Sequence, residues 1–215
     1  NDDAIDLNIR LGSANVCTMG YAWDDKVVTE AGLLIPGRVQ ALGTQFAERG
    51  YHAIGIMEAR CPTSASFMCG PYLVLSTAAT KRGTHGVQLW INLEKKWADV
   101  KGASGKVPRS AATVVYEDPT RLLVTVRSNV VNCNFFVGHA PHGWQAPLKG
   151  KRRDAGEAPN PIAAYEKQKA WWELSSKICA DQRIRDAPSF YFLDGNVQVG
   201  SIVSQAIGPV DADEE

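Results

Sequence analysis

Short apolar runs that stop abruptly at a polar residue recur along this chain, and they set its predicted layout. Residues 13–18 (SANVCT) form a short candidate strand. Residues 36–50 (PGRVQALGTQFAERG) predict a helix: Val39, Leu42 and Phe46 recur at helical spacing, Pro36 stands near the start and Gly50 at the C-cap. Ala53 to Met57 is a short apolar run that reads as a buried strand, and strand, helix, strand suggests α/β layering. The middle changes character. Segments 72–76, 86–91, 111–116, 121–126 and 130–137 are short, rich in β-branched or aromatic residues and separated by turn residues, as in consecutive antiparallel strands. Residues 99–109 (DVKGASGKVPR) read as a mobile loop between two of them, and 145–160 as a long polar surface loop. Asn160-Pro161 supplies an N-cap followed by proline at the first helical position, opening a helix to about Cys179 with Trp171, Leu174 and Ile178 on one face. Residues 190–193 (FYFL) then read as a further buried strand. Adjacent strands followed by helix and strand suit a layered α/β sandwich better than an all-parallel doubly wound sheet.

Composition narrows the class. The 215 residues are 45% hydrophobic and 21% charged with zero formal net charge, ordinary for one large globular domain. No apolar run approaches the ~20 residues needed to cross a bilayer as a helix, so no membrane role is expected. The start lacks a signal-peptide layout and does not begin with Met, which reads as a segment of something longer. Five scattered cysteines without a C-x-x-C pair argue against a disulfide framework or structural zinc, and for a reducing, intracellular setting. Zero net charge excludes a strongly basic DNA-coating surface but not a nuclease, whose affinity can come from a local patch and a bound metal.

Candidate chemistry sits where the apolar runs end. Four predicted strands deliver Asn15, Glu58, His139 and Asp194, with Asn196 two residues after Asp194. In layered α/β folds ligands gather beyond strand ends. A hard divalent cation takes one or two carboxylates and leaves room for water and phosphate, which makes Glu58 the natural ligand, supported by Asn15. Asp194 can orient or deprotonate a water, Asn196 can donate to a phosphate oxygen, and His139 can donate to the phosphate or protonate a leaving oxygen. Each residue has a plainer reading. Asp194-Gly195 is also a common turn pair, Asn15 also caps turns, Glu58 can pair with Arg60 on the surface, and His139 can simply bond within a loop. His85 and His142 read as structural or rim residues, His52 as a surface residue, and Trp171-Trp172 as core packing plus one exposed ring. The basic cluster Lys149, Lys151, Arg152 and Arg153 reads as a solvated loop or a contact to nucleic-acid backbone.

The runs Ala14 to Thr18, Gly55 to Arg60, Gly138 to Gly143 and Leu193 to Asn196 occur in an order and spacing that resembles the endonuclease/exonuclease/phosphatase superfamily, the DNase I and apurinic-endonuclease group. The resemblance covers nearly the whole chain. It is nearest to endonuclease domains of non-LTR retrotransposons, which share the Thr84 to Ile91 type of strand, the paired Trp and a tail like Val199 to Gly208. The resemblance implies a four-layer α/β/β/α sandwich over residues 1–215 as a single domain, and phosphodiester hydrolysis dependent on Mg²⁺ or, in its place, Mn²⁺. It puts Asn15 and Glu58 at the metal, His139 near the scissile phosphate, and Asp194 and Asn196 on the acid and amide of a Gly-Asp-x-Asn motif. DNA is the implied substrate, with a small-molecule phosphoester or an inactive remnant as alternatives. A monomeric domain of a longer polyprotein, nuclear where chromosomal DNA is the target, completes the expectation. The chain departs from the family pattern at Met57, Leu193 and Gly195. It also carries no Asp-His pair near its end, since none of its four His lies beyond residue 142; the expectation is of a domain truncated before its last strands.

Overall fold

The computed structural model describes residues 9–19, 37–99, 105–141 and 161–196. Two sheets carry the fold. The first is built from β1 (Leu11–Asn15), β2 (Ala53–Met57), β3 (Ala65–Cys69), β4 (Tyr72–Ser76) and β5 (Val87–Asn92), in the order β1-β2-β5-β4-β3. The second holds β6 (Ala112–Asp118), β7 (Arg121–Arg127), β8 (Asn132–His139) and β9 (Ser189–Asp194), in the order β6-β7-β8-β9. One helix, α1 (Arg38–Glu48), precedes β2, and a second, α2 (Pro161–Cys179), precedes β9. The protein is thus a mixed α/β structure with two multi-strand sheets and few helices.

The central strands β2 and β5 are apolar without alternation because both of their faces are covered. Ala53, Met57, Leu89 and Ile91 face Leu122, Val124, Phe135 and Val137 of the second sheet. Their neighbours Ile54, Ile56 and Trp90 point the other way, where Val39, Leu42 and Phe46 of α1 lie against them. Phe46 meets Trp90 edge-on at 5.5 Å. Gln88, buried on this face, is satisfied: it donates to Ser76 Oγ at 3.0 Å and accepts from Trp90 Nε1 at 2.9 Å. On the far side, Trp171 and Ile178 of α2 pack on Leu123 and Phe136 of the second sheet. Gly50 follows α1 with φ +66, its N–H bonded to Ala47 O at 2.9 Å, as its C-terminal position predicts.

Several expectations are corrected. The first strand runs over 11–15, not 13–18, and β8 extends to His139. The strand β3 escapes a hydrophobicity reading because, among the described residues, it lies at a sheet edge with two of its five residues exposed and one buried. The middle strands are not one antiparallel run: β5 inserts between β2 and β4, and the chain then leaves for the second sheet. Leu174 is 39% exposed, and the buried stripe of α2 uses Trp171, Ser175 and Ile178 instead. The FYFL strand is not buried as a whole. Among the described residues β9 pairs only with β8, and Tyr191 and Leu193 are 51% and 40% exposed. The described end of the 99–109 loop is anchored rather than mobile: Val107 is buried, and Gly105 O accepts from Trp97 N at 2.8 Å. The basic cluster 149–153, His142 and the tail 199–208 lie outside the described residues.

His52 is buried instead of exposed. Its Nδ1 accepts from Arg10 N and its Nε2–H donates to Lys96 O, both at 2.8 Å, and its ring stands edge-on to Trp97 at 5.3 Å. Burial lowers its pKa below the ordinary imidazole value, outweighing the two backbone bonds. A histidine with a depressed folded pKa binds a proton more readily when unfolded. Its stabilising contribution is therefore complete above the unfolded value of about 6.5 and is lost as pH falls towards the folded one. We expect thermal stability to decline on acidification below about pH 6.5, and His52→Gln to flatten that slope; melting curves across pH 5–8 check both.

The topology also fixes where chemistry can occur. Among the described residues two of the strand pairs are parallel, β1 with β2 and β8 with β9, and the rest are antiparallel. These two pairs pack across the core from each other, so four carboxyl-terminal strand ends emerge together.

Candidate functional site

Each of those strand ends carries one of the expected residues. Asn15 closes β1 opposite Met57, His139 closes β8 opposite Asp194, and Glu58 is the first residue beyond β2. Glu58 does not continue the strand: it has φ +56, and Arg60 has φ +53. Left-handed backbone at such side chains costs about 1–3 kcal/mol each and persists only where the surroundings impose it. Here Val16 N bonds Met57 O at 3.1 Å, Met19 N bonds Ala59 O at 3.0 Å, and Ala59 N and Arg60 N bond Gly86 O and His85 O at 2.9 Å. The loop bearing Glu58 is thus stitched to the segment after β1 on one side and the segment before β5 on the other.

The side chains converge on one amide. Asn15 Nδ2 donates to Glu58 Oε1 at 3.1 Å and to Asp194 Oδ2 at 2.9 Å. Asn15 Oδ1 accepts from Cys17 N at 3.0 Å, which fixes the orientation: exchanging oxygen and nitrogen would set an acceptor against two carboxylates. His139, 2% exposed, turns Nε2 towards the same carboxylate oxygens, 3.6 Å from Glu58 and 4.0 Å from Asp194. Arg60 reaches Glu58 Oε2 at 3.3 Å. Burial raises the Glu58 carboxyl, but the Asn15 amide, His139 and Arg60 outweigh it, and its pKa lies below the ordinary glutamate value. Glu58 is therefore an anion at neutral pH.

All five expected residues lie together. Asn15 presents nitrogen, not oxygen, to the two carboxylates. Asn196, with φ +45, donates its side-chain amide to Ala140 O at 2.7 Å. Its backbone N–H braces Asp194 Oδ1 at 3.3 Å, and Gln168 Nε2 donates to its carbonyl at 3.2 Å. The left-handed residue of this turn is Asn196, not Gly195.

Sequence reasoning assigned His85 to structure or rim, and that understates it. His85 Nδ1 lies 3.2 Å from His139 Nδ1, so one ring donates and the other accepts. With His139 Nε2 facing carboxylates, the consistent tautomer has Nε2–H on His139 and Nδ1–H on His85. The signal available beforehand was the His85-Gly86 pair before a strand, where both residues adopt positive φ.

The donor set suits a hard cation. Glu58 and Asp194 offer carboxylate oxygens with 18% and 28% of their side chains exposed, open to water and to a phosphate. Among the described residues no group of three or more His, Cys, Asp or Glu side chains is arranged to hold a metal ion unaided. Magnesium commonly binds through one or two carboxylates and completes its shell with water and substrate oxygens.

No family model matches the chain, and no curated protein matches it. Among solved structures it is similar to the endonuclease domain of TRAS1, a telomere-specific non-LTR retrotransposon, at 13% identity and a TM-score of 0.41. The alignment covers 89% of this chain and 61% of that one, so the chain spans about three-fifths of that domain's length.

Proposed function

We propose that this protein is a metal-dependent phosphodiester hydrolase with DNA as substrate, an endonuclease domain of a retrotransposon-like polyprotein. One observation carries the reading: two carboxylates from different sheets share a single amide donor, with a buried imidazole N–H facing both. Glu58 would hold Mg²⁺, or Mn²⁺ in its place, and that cation when bound supplies charge neutralisation at the phosphate. Asp194, braced by Asn15 and by the Asn196 N–H, orients the attacking water and accepts its proton. His139 donates from Nε2 to the phosphate or to the leaving oxygen, its tautomer set by His85. DNA is the proposed substrate, and where that DNA is chromosomal the protein would act in the nucleus.

A plasmid-nicking assay with and without Mg²⁺ is the direct test. Nicking that needs the cation and disappears in Glu58→Ala is expected; a protein that nicks under neither condition would overturn the reading. Parallel assays on soluble phosphoesters separate DNA from small substrates. Asn15→Asp is also informative. It replaces the shared donor with a third carboxylate, and we expect a loss of about 10²-fold or more in nicking with Glu58 and Asp194 still in place, by analogy with removing one oriented donor from a reacting centre.

A further inference from the structure

A cleft of about 460 Å³ opens beside this site, between the β4–β5 connection, the β6–β7 turn and the exposed side of α2. It shares His85 with the site, and Pro141 on its wall follows His139 by two residues. Its far wall is Trp171 with the half-exposed Leu174. Trp171 is fixed there: its indole N–H donates to Thr120 Oγ1 at 3.0 Å, and the Arg121 guanidinium lies 5.2 Å from its ring. Arg121 is itself paired with Asp118 at 3.1 Å, so the charge within the wall is balanced. Further cations stand at the rim: Lys167 lines the cleft, and Lys81 and Arg82, both exposed, follow the lining residue Thr80.

We propose that this cleft receives the nucleoside adjacent to the scissile phosphodiester, its sugar and base against the Trp171 and Leu174 wall and the next phosphate at Lys167. The inference rests on the phosphodiesterase reading of the neighbouring site. An apolar wall of Leu174 and the 5%-exposed Trp171, with a cationic rim, matches a chain that alternates bases with phosphates. A small phosphate ester has nothing to place there, and an uncharged acyl chain would gain nothing from the lysine. The volume lies within the range of ligand pockets, ~300–1,000 Å³.

The test is binding first, without Mg²⁺, so that it does not depend on turnover. A short single-stranded oligodeoxynucleotide is titrated into the ¹⁵N-labelled protein, and the Trp171 indole signal, assigned with Trp171→Phe, is followed. A saturable shift of that signal is expected. Binding should weaken about tenfold in Ala170→Phe, which narrows the cleft from an exposed helix position, and similarly in Lys167→Glu. In turnover, the ratio of kcat/KM on the oligonucleotide to that on bis(4-nitrophenyl) phosphate should fall about tenfold in both variants. An unmoved Trp171 signal, or an unchanged ratio in both variants, overturns the cleft assignment even if the protein cuts DNA. A shifted signal in a protein that hydrolyses neither substrate leaves the cleft assignment standing and overturns the hydrolase reading.

Discussion

Glu58→Gln is expected to lower Mg²⁺-dependent nicking by about 10³-fold or more while leaving the fold intact, a larger loss than any other single change at the site. The substitution keeps length and shape, but glutamine has a single oxygen, so only one of the donors Asn15 and Arg60 keeps its acceptor. The charge disappears as well. The wild-type carboxyl is held below its ordinary pKa by Asn15, His139 and Arg60, and those groups are arranged for an anion. Glu58 would be the principal cation ligand, so its loss should cost at least as much as the ~10²–10⁴-fold that losing a general acid or base costs. Stability should change little, because the ion pair with Arg60 is part-exposed and such pairs contribute about 0–1 kcal/mol. Isothermal titration of Mg²⁺ separates roles: heat of binding should vanish in Glu58→Gln and persist, weakened, in Asp194→Asn. Equal nicking by Glu58→Gln and wild type would remove Glu58 from the chemistry.

The strand ends bearing Asn15, Glu58, His139 and Asp194 were legible in the sequence because each is a polar residue that terminates an apolar run. An apolar run marks burial, and its end marks the point where the chain leaves the core. What such a pattern does not carry is direction after the exit. The left-handed turns at Glu58 and Arg60 use residues with no glycine-like preference; N–H groups of their loop donate to the Gly86 and His85 carbonyls, distant in sequence, and hold them there, while Asn196, a residue that tolerates this conformation, donates to Ala140 O. His52 shows the same limit: it follows Gly50 as a surface residue would, yet Arg10 and Lys96 close over it. The β9 strand failed in the opposite sense: four large side chains in a row implied burial, yet among the described residues β9 pairs only with β8, and Tyr191 and Leu193 are exposed.

Gly55→Ala should be the most destabilising methyl that can be added to this protein's first sheet, and it should disturb the site as well. Gly55 is the central residue of β2, and a Cβ built there would overlap Cβ and Cγ of Phe192 on β9, with Cδ2 only 2.7 Å away. The obstructing atoms begin at Phe192 Cβ, next to the backbone, so rotating the ring does not make room. The two sheets must separate locally, and overpacking of this kind costs about 1–3 kcal/mol, with the upper end expected for a contact so near the main chain. Because Phe192 stands two residues before Asp194, any outward shift of β9 also lengthens the 2.9 Å bond from Asn15 to Asp194 while Glu58, on the strand that stays, keeps its place. The expected result is a melting temperature lowered by several degrees, together with reduced nicking at temperatures where the variant is still folded. Phe192→Gly in the Gly55→Ala background removes the obstructing Cβ, so the two changes together should destabilise by less than the sum of each alone. Strictly additive effects, or a Gly55→Ala protein with wild-type melting and activity, would mean that β2 and β9 do not set the spacing on which the Asn15 clamp depends.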